Sequence, residues 1–412
     1  MTNDRPTRAG VLALVAAFLG WLFDGFEMGL FPIIARPALR SLAPEIADDA
    51  FVGSWMGIVT ALFLLGAAGG GLVFGWLGDR IGRVRAMSAS ILTYSLFTGL
   101  GYFVAEPWQL GALRFVAALG MGGEWSLGVA LVMETWPERH RPWLAGAIGA
   151  AANVGFLLVA LVAKLFPVTV DSWRFMMLVG ASPALLVFLI RLFVPESKKW
   201  KESVGAARAR PVREVFAPAL RPRVVVAALL ASVALVGTWA SVQWIPLWVD
   251  QMTGGRDPGA KAVAQMAYGL GAILGSFVGP VIGGRLPRRW TYFGLCAVSF
   301  AACAVQFRVL HEYSASFVAM TVVTSAATAS FYGWLPLYLP ELFPTRVRAT
   351  GQGVAFNAGR VFAAAGALLG GQLVAAFDGS FPRAAATVTL VYVAGMALAF
   401  MAPETRGRAL PA

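Results

Sequence analysis

The chain repeats itself at about half its length, and this constrains its fold more than any single motif. Glu134-Thr135-Trp136-Pro137, followed by Arg139 and Arg141, returns as Glu341-Leu342-Phe343-Pro344 followed by Arg346 and Arg348. Pro195-Glu196-Ser197-Lys198 returns as Pro403-Glu404-Thr405-Arg406, and Arg80 and Arg83 return as Arg285 and Arg288. Each copy falls at the same place in a series of long apolar runs, so the chain reads as two parallel halves. Membrane proteins built from such repeats include many secondary transporters, with the substrate site between the halves near the bilayer midplane.

Hydrophobic residues make up 58% of the 412 and charged ones only 13%, about half the charged share of a soluble domain. Twelve runs are long enough to cross a hydrocarbon core, which takes ~20 helical residues. They lie near 10–34, 51–77, 86–105, 108–133, 142–166, 173–194, 223–249, 261–283, 290–308, 313–339, 349–377 and 382–401. Their length and lack of alternation exclude a barrel, and glycine and proline inside them are compatible with packed transmembrane helices. The first run is too long for a cleaved signal, and eleven more follow it. The expected fold is an all-α membrane protein of twelve transmembrane helices in two pseudo-symmetric six-helix bundles. Residues 1–194 form the first bundle, 195–222 a basic linker and 223–412 the second bundle.

The net charge of +12 follows from topology. Lys and Arg gather in the loops on one side, nine of them between Arg191 and Arg223, which places both termini in the cytoplasm of an inner (plasma) membrane protein. No nucleic-acid motif accompanies the charge. Cys296 and Cys303 read as core residues, and His140 and His311 fall in or beside loops. Neither a metal-ligand set nor a phosphate-cradling glycine loop is present. The chain therefore reads as neither an enzyme nor an ATP-driven pump, with no cofactor, and any uphill transport must draw on a gradient. Its expected partners are the lipid bilayer, a small-molecule substrate and protons, with the chain itself monomeric.

At the junction of the second and third runs stands Gly75-Trp76-Leu77-Gly78-Asp79-Arg80-Ile81-Gly82-Arg83. This resembles the G-x-L-x-D-R-x-G-R signature of the major facilitator superfamily, and with the twelve runs and the repeat the resemblance covers the whole chain. Asp79, at a helix end, can pair with arginines of its own loop or with a neighbouring helix end, latching one conformation. The second copy has Gly284 at the place of Asp79, which implies a weaker latch there. Gly122-Gly123-Glu124-Trp125, Phe356-Asn357-Ala358-Gly359-Arg360 and Asp24-Gly25-Phe26-Glu27 resemble segments of the sialic acid, lactate and aromatic acid proton symporters. The seventh run lacks the Q-Q-x-x-G pattern of sugar porters. The resemblance thus implies alternating-access transport of a small organic anion with proton symport.

The chemistry is expected at ionisable groups stranded within helices, where charge is costly unless it faces a cavity or a partner. Asp24 is roughly 21 Å from the inner surface and Arg114 about 9 Å below the outer one, so the two depths coincide and an Asp24–Arg114 pair is plausible. Glu27 shares the face of Asp24. Burial favours the protonated carboxyl and a nearby arginine favours the ionised one, which makes Asp24, Glu27 and Arg114 proton-coupling candidates. A static ion pair is the alternative. Glu124, too far along its helix to reach Arg114, is a further proton candidate or a structural group beside the glycines.

Arg360 is the leading substrate candidate. A guanidinium near mid-membrane needs an anion, and its planar fork fits a carboxylate. Pairing across the interface between the halves is the alternative. Asn357, Asn153, Gln243, Trp244, Gln265, Tyr268 and Tyr332, with Trp239 and Trp334, are candidates to line the cavity. Asp79, Arg80, Arg83, Glu134, Arg141, Glu341 and Arg348 are candidate gating residues. Gly66 with Gly70, and Gly71 with Gly75, read as close-packing stripes. The other functional readings left by the sequence are a carrier of a neutral metabolite or sugar, an exporter without proton symport, a non-transporting membrane sensor and a channel.

Overall fold

The computed structural model describes residues 8–45, 49–166, 168–185, 190, 193–196, 200–201, 211–239, 241–242, 245–253, 258–377 and 380–411. The first half comprises α1 (Arg8–Leu42), α2 (Asp49–Ile81), α3 (Arg83–Leu100), α4 (Pro107–Thr135), α5 (Arg141–Leu165) and α6 (Trp173–Ala181). The second comprises α7 (Arg221–Trp239, followed by Ile245–Met252), α8 (Pro258–Arg285), α9 (Arg288–Arg308), α10 (Ala315–Leu342), α11 (Arg348–Ala376) and α12 (Phe381–Val388, followed by Val391–Leu398). No strand occurs among the described residues. Of the expected linker, 197–199 and 202–210 lie outside them, and a short helix at Pro211–Val215 is tied to the second half by Arg346, which donates to Glu214 at 2.5 Å.

Among the described residues, nine helices are by themselves long and apolar enough to span a bilayer. The other three positions in the series are α3, α6 and α11. Serines and threonines dilute α3, and α6 is described over only nine residues. In α11 the polar residues Arg348, Gln352, Asn357 and Arg360 fall in its first half, and side chains 366–372 lie outside the described ones. Several ends differ from the expected runs. Helices α1 and α2 extend beyond their apolar stretches, since polar helix ends can project past the hydrocarbon. The seventh run does not continue as a single described helix from Trp239 to Ile245, and the twelfth is interrupted at Thr389–Leu390. Pro280 in α8 and Pro336 and Pro340 in α10 leave those helices continuous, as packing by neighbours allows.

The two halves pack alike. In the first, α2 lies on α4 and α1 on α5; in the second, α8 lies on α10 and α7 on α11. They meet through the corresponding pairs α2–α11 and α5–α8. Both termini lie at one end of the bundle: the Trp136 indole donates to the Gly10 carbonyl at 2.6 Å, and Arg348 at the start of α11 donates to the Pro411 carbonyl at 2.7 Å.

Helix α2 carries two glycine stripes that serve different neighbours. Gly66 and Gly70 lie against the α4 backbone at Phe115 and Leu119, inside the first half. Gly71 and Gly75 lie against α11 at Gly353, Asn357, Ala349 and Thr350, across the interface. A side chain on either stripe forces backbone apart, at about 1–3 kcal/mol for overpacking, but with different consequences. Gly70→Val is expected to lower the melting temperature of purified protein. Gly75→Val should instead separate the halves at the end bearing the termini while leaving each half folded. Thermal melting combined with cysteine accessibility at that end distinguishes the two; equal melting losses would show that both stripes serve only the fold.

Candidate functional site

Three layers of interaction lie between the halves. The innermost is charged. Asp24 on α1, Glu124 on α4 and Arg360 on α11 are 0%, 2% and 4% exposed. The carboxyls of Asp24 and Glu124 neighbour each other, and Asp24 is close enough to Arg360 for their charges to interact. No donor among the described residues reaches a carboxylate oxygen of Asp24 or Glu124. Arg360 donates to Asn357 Oδ1 at 2.8 Å and lies 5.4 Å from the centre of the Phe356 ring. Asn357 in turn donates to the Gly122 carbonyl of α4 at 3.0 Å, tying the halves together beside the cluster. The buried Tyr332 hydroxyl of α10 completes the setting of Arg360.

The expected Asp24–Arg114 pair is not formed. Arg114 pairs with Glu27, whose carboxylate also accepts from Thr98 at 2.7 Å. The guanidinium sits 4.7 Å from the Phe63 ring centre and 5.6 Å from that of Phe31. Equal depth along the helices does not decide the partner; side-chain azimuth does. Glu27 shares its neighbourhood with α3 and α4, whereas Asp24 is turned toward Glu124 and Arg360.

One turn closer to the termini lies an aromatic layer that spans both halves. Trp125 of α4 stacks on Phe356 of α11 at 4.0 Å between ring centres, and Trp21 of α1 meets both edge-on or tilted at 6.3–6.4 Å. All three are nearly fully buried. This layer forms an apolar floor beneath the charged cluster.

The third layer closes the end that bears the termini. Asp79 does two things at once. It accepts from Arg83 at 2.5 Å and, across the interface, from the backbone N–H groups of Ala349 at 3.3 Å and Thr350 at 2.8 Å. Those two amides open α11, so the carboxylate sits at a helix N-terminus, where negative charge is favoured. Glu134 Oε1 accepts from Arg83 at 3.2 Å and from Arg348 of the other half at 3.0 Å. Arg83 also donates to the Thr345 carbonyl at 2.7 Å. The first half's acids and the second half's helix end are therefore stitched together in a fully buried network.

The family model described as Major Facilitator Superfamily matches residues 12–284. The chain belongs to the Major Facilitator Superfamily. It is thus a membrane transporter and not an enzyme. The cis,cis-muconate transport protein of Acinetobacter baylyi is 30% identical over 382 residues, covering 88% of both chains. The sialic acid transporter NanX of Escherichia coli is 26% identical over 354 residues, covering 84% of this chain and 83% of its own. Among solved structures, the proton:xylose symporter XylE superposes with a TM-score of 0.81 over 97% of each chain at 18% identity, a likeness of fold.

Within this superfamily fold, the second half repeats the latch only in part. Arg288 pairs with Glu341 at 2.7 Å, and Thr405 donates to the same glutamate at 2.6 Å. The repeated proline-glutamate pairs, unassigned from sequence, prove to be helix caps. Glu196 accepts from the N–H groups of Arg83 and Val84 at 2.9 and 3.1 Å, and Glu404 from those of Arg288 and Arg289 at 3.0 and 3.3 Å. Partial burial of Glu404 works against its charge, but the N–H bonds from Arg288, Arg406 and Arg289 outweigh it and hold its carboxyl below the ordinary range. Gly82 is required twice over: its φ is +109°, and a side chain there would strike Glu196.

Other sequence candidates are placed as follows. Arg80 is exposed over Trp76, at 5.2 Å, outside the latch network. Arg141 is buried and lines a cleft with Arg288. Asn153 and Tyr268 are half-buried on α5 and α8. Trp334 does not line the site but stacks on Tyr338 in the core of the second half, at 4.6 Å. Gln243, Trp244 and the side chain of Gln265 lie outside the described residues. The sequence reading missed Trp21, Phe356 and Thr98 as site residues. Trp125 and Phe356 stood within quoted motifs, but nothing in the spacing alone placed their rings face to face.

Asp79→Asn keeps the shape of the latch and removes its charge. Hydrogen bonds to charged groups contribute roughly 1.5–3 kcal/mol, so the amides of Ala349 and Thr350 are expected to exchange about 10- to 100-fold faster. Hydrogen-exchange mass spectrometry of the Arg348–Gly353 segment measures this. Unchanged exchange would mean that Glu134 and Arg348 hold the interface without Asp79.

Proposed function

We propose that this transporter carries a small organic anion (a monocarboxylate, a sialate or an aromatic acid) into the cell together with protons, by alternating access. The observation that carries this reading is the buried cluster of two carboxyls and one guanidinium between the halves. Net charge is strongly disfavoured in a low-dielectric interior. With one proton shared between Asp24 and Glu124, their single negative charge balances Arg360. An arriving carboxylate would unbalance the cluster unless one more proton came with it. That second proton frees Arg360 from Asp24 and leaves its fork to the substrate. Substrate and proton are then coupled by charge balance, one for one in the case of a monocarboxylate.

The remaining parts follow. Asn357 and Tyr332 flank the guanidinium as polar contacts for the substrate, and Asn153, Tyr268, Gln243, Trp244 and Gln265 remain candidates for the cavity wall. The floor of Trp21, Trp125 and Phe356 suits an apolar or ring-bearing body. Glu27 and Arg114, already neutralised by each other, serve as a fixed pair that neighbours the proton site. The end bearing both termini is the cytoplasmic side of an inner membrane, as the distribution of Lys and Arg supports, so the latch closes the site to the cytoplasm. The bundles are residues 1–194 and 223–412, with 195–222 as the cytoplasmic linker, and the chain works as a monomer within the bilayer. The muconate and sialic acid transporters named among the relatives carry organic acids, which supports the substrate class.

The test is proteoliposomes with a trapped pH dye, challenged with monocarboxylates, sialic acid, aromatic acids and hexoses. Internal acidification is expected with one acid class only. Arg360→Ala should lower uptake by about 100-fold or more, the scale of an unpaired buried charge. Asp24→Asn should abolish acidification while retaining exchange of labelled anion for unlabelled anion. Tracer uptake of a neutral solute without any pH change would overturn the reading and leave Asp24 and Arg360 as a structural pair.

A further inference from the structure

The two latches differ at one point, and the difference leaves a cavity. In the first half Asp79 meets the amides of Ala349 and Thr350, the residues after Arg348. At the corresponding place in the second half Gly284 meets Pro142, the residue after Arg141, with a Cβ at Gly284 lying 2.7 Å from the proline ring. The glycine brings no carboxylate, and the proline lacks the N–H that Ala349 donates on the other side, so the acceptor and one of the two donors are missing. Beside them opens a cleft of about 290 Å³. Its wall holds Arg139 and Arg141 from the first half and Arg288, Arg406 and Arg408 from the second. Glu341 is the one acid among the lining residues described, and it is engaged by Arg288 and Thr405. The nearby Glu404 is engaged by the backbone of Arg288, Arg289 and Arg406. The chain turns back at Gly407, whose φ of +74° only a glycine adopts freely, and this turn brings Arg406 and Arg408 to the cleft.

We propose that this cleft binds a phosphate-bearing anion, which supplies the negative charge that Asp79 supplies on the other side. Arginine forks suit phosphate oxygens. An anion held by Arg406 and Arg408 lies against the first-half wall of the cleft and so favours the state closed at this end; by linkage, that closed state binds the anion more tightly. Two sources share this chemistry, the headgroup of an anionic phospholipid and a soluble phosphate. Trp143 and Trp290, 58% and 57% exposed, stand next to Pro142 and close to Arg288 in the chain. Exposed tryptophans at helix ends mark the membrane–water interface, so the cleft opens at headgroup depth.

The test uses the full chain, purified without anionic lipid. In neutral detergent, inorganic phosphate is titrated against chloride at equal ionic strength. Separately, the protein is placed in phosphatidylcholine nanodiscs with and without one-fifth phosphatidylglycerol. A saturable rise in melting temperature of about 2–4 °C is expected, and it should be lost in the double variant Arg406→Gln, Arg408→Gln. Both side chains are exposed, so the variant should fold, which its melting without phosphate or phosphatidylglycerol verifies. A rise with phosphate in detergent assigns a soluble ligand; a rise only with phosphatidylglycerol assigns a headgroup. Native mass spectrometry should show about one phosphate or phosphatidylglycerol fewer on the double variant. No rise in either medium, or a rise that the double variant retains, overturns the proposal. The outcome does not depend on which substrate is transported.

Discussion

Charge in a dry interior organises this molecule. Away from water, a guanidinium or carboxylate persists only when an opposite charge, a helix end or a proton balances it. Each buried ionisable group in the interface meets this condition in a different way. Arg114 has Glu27, which also accepts from Thr98. Asp79 has an arginine and two amides that open a helix. Arg360 has a shared claim on Asp24, while Glu124 beside Asp24 adds a carboxyl that no described donor satisfies. The first two arrangements are closed and need nothing further. Of these three arrangements, the third is the one whose balance a proton or an anion would change, which is why the transport chemistry is proposed there.

The repeat makes the two halves alike in backbone and unlike in charge. Helix pairs correspond one to one, and so do the caps formed by Glu196 and Glu404. The exceptions fall in matched positions: Asp79 against Gly284, and Ala349 against Pro142. On the α2–α11 side the halves are joined by hydrogen bonds of a carboxylate, and on the α5–α8 side by close packing of glycine on proline. Electrostatic contacts respond to protonation and bound ions, whereas van der Waals contacts do not. On the proposed mechanism, opening at this end is controlled through α2 and α11 and through what occupies the arginine cleft.

The architecture was legible in the sequence because the bilayer imposes length and the repeat imposes symmetry. Both leave marks that a single chain displays without any contact information. Helix ends were less legible: α1 and α2 run past their apolar stretches. The site was legible as a set of depths. Position along a helix placed Asp24 level with Arg114 and Arg360 near mid-membrane, but which carboxylate faces Arg114 depends on rotation about α1. The residue spacing from Asp24 to Glu27 puts both on one side of the helix without saying which neighbour each meets. The aromatic floor was invisible for a related reason. Stacking of Trp125 on Phe356 joins helices from opposite halves, and nothing local in either segment encodes that pairing.

Helix α11 links the layers physically. Arg348 at its first turn belongs to the latch, Phe356 to the aromatic floor, Asn357 to the bond with α4, and Arg360 to the charged cluster. The thirteen residues from Arg348 to Arg360 of one continuous helix, roughly 18 Å, carry all four. Its contact with α2 runs along Gly71 and Gly75. A change in what Arg360 binds therefore shifts the favoured position of a rod whose other end is held by Asp79 and Glu134. Conversely, release of Asp79 removes the restraint on that rod and on the guanidinium it carries. On the proposed mechanism, coupling between site and gate needs no relay of side chains, only a stiff element with charged contacts at both ends and a glycine-lined face toward α2.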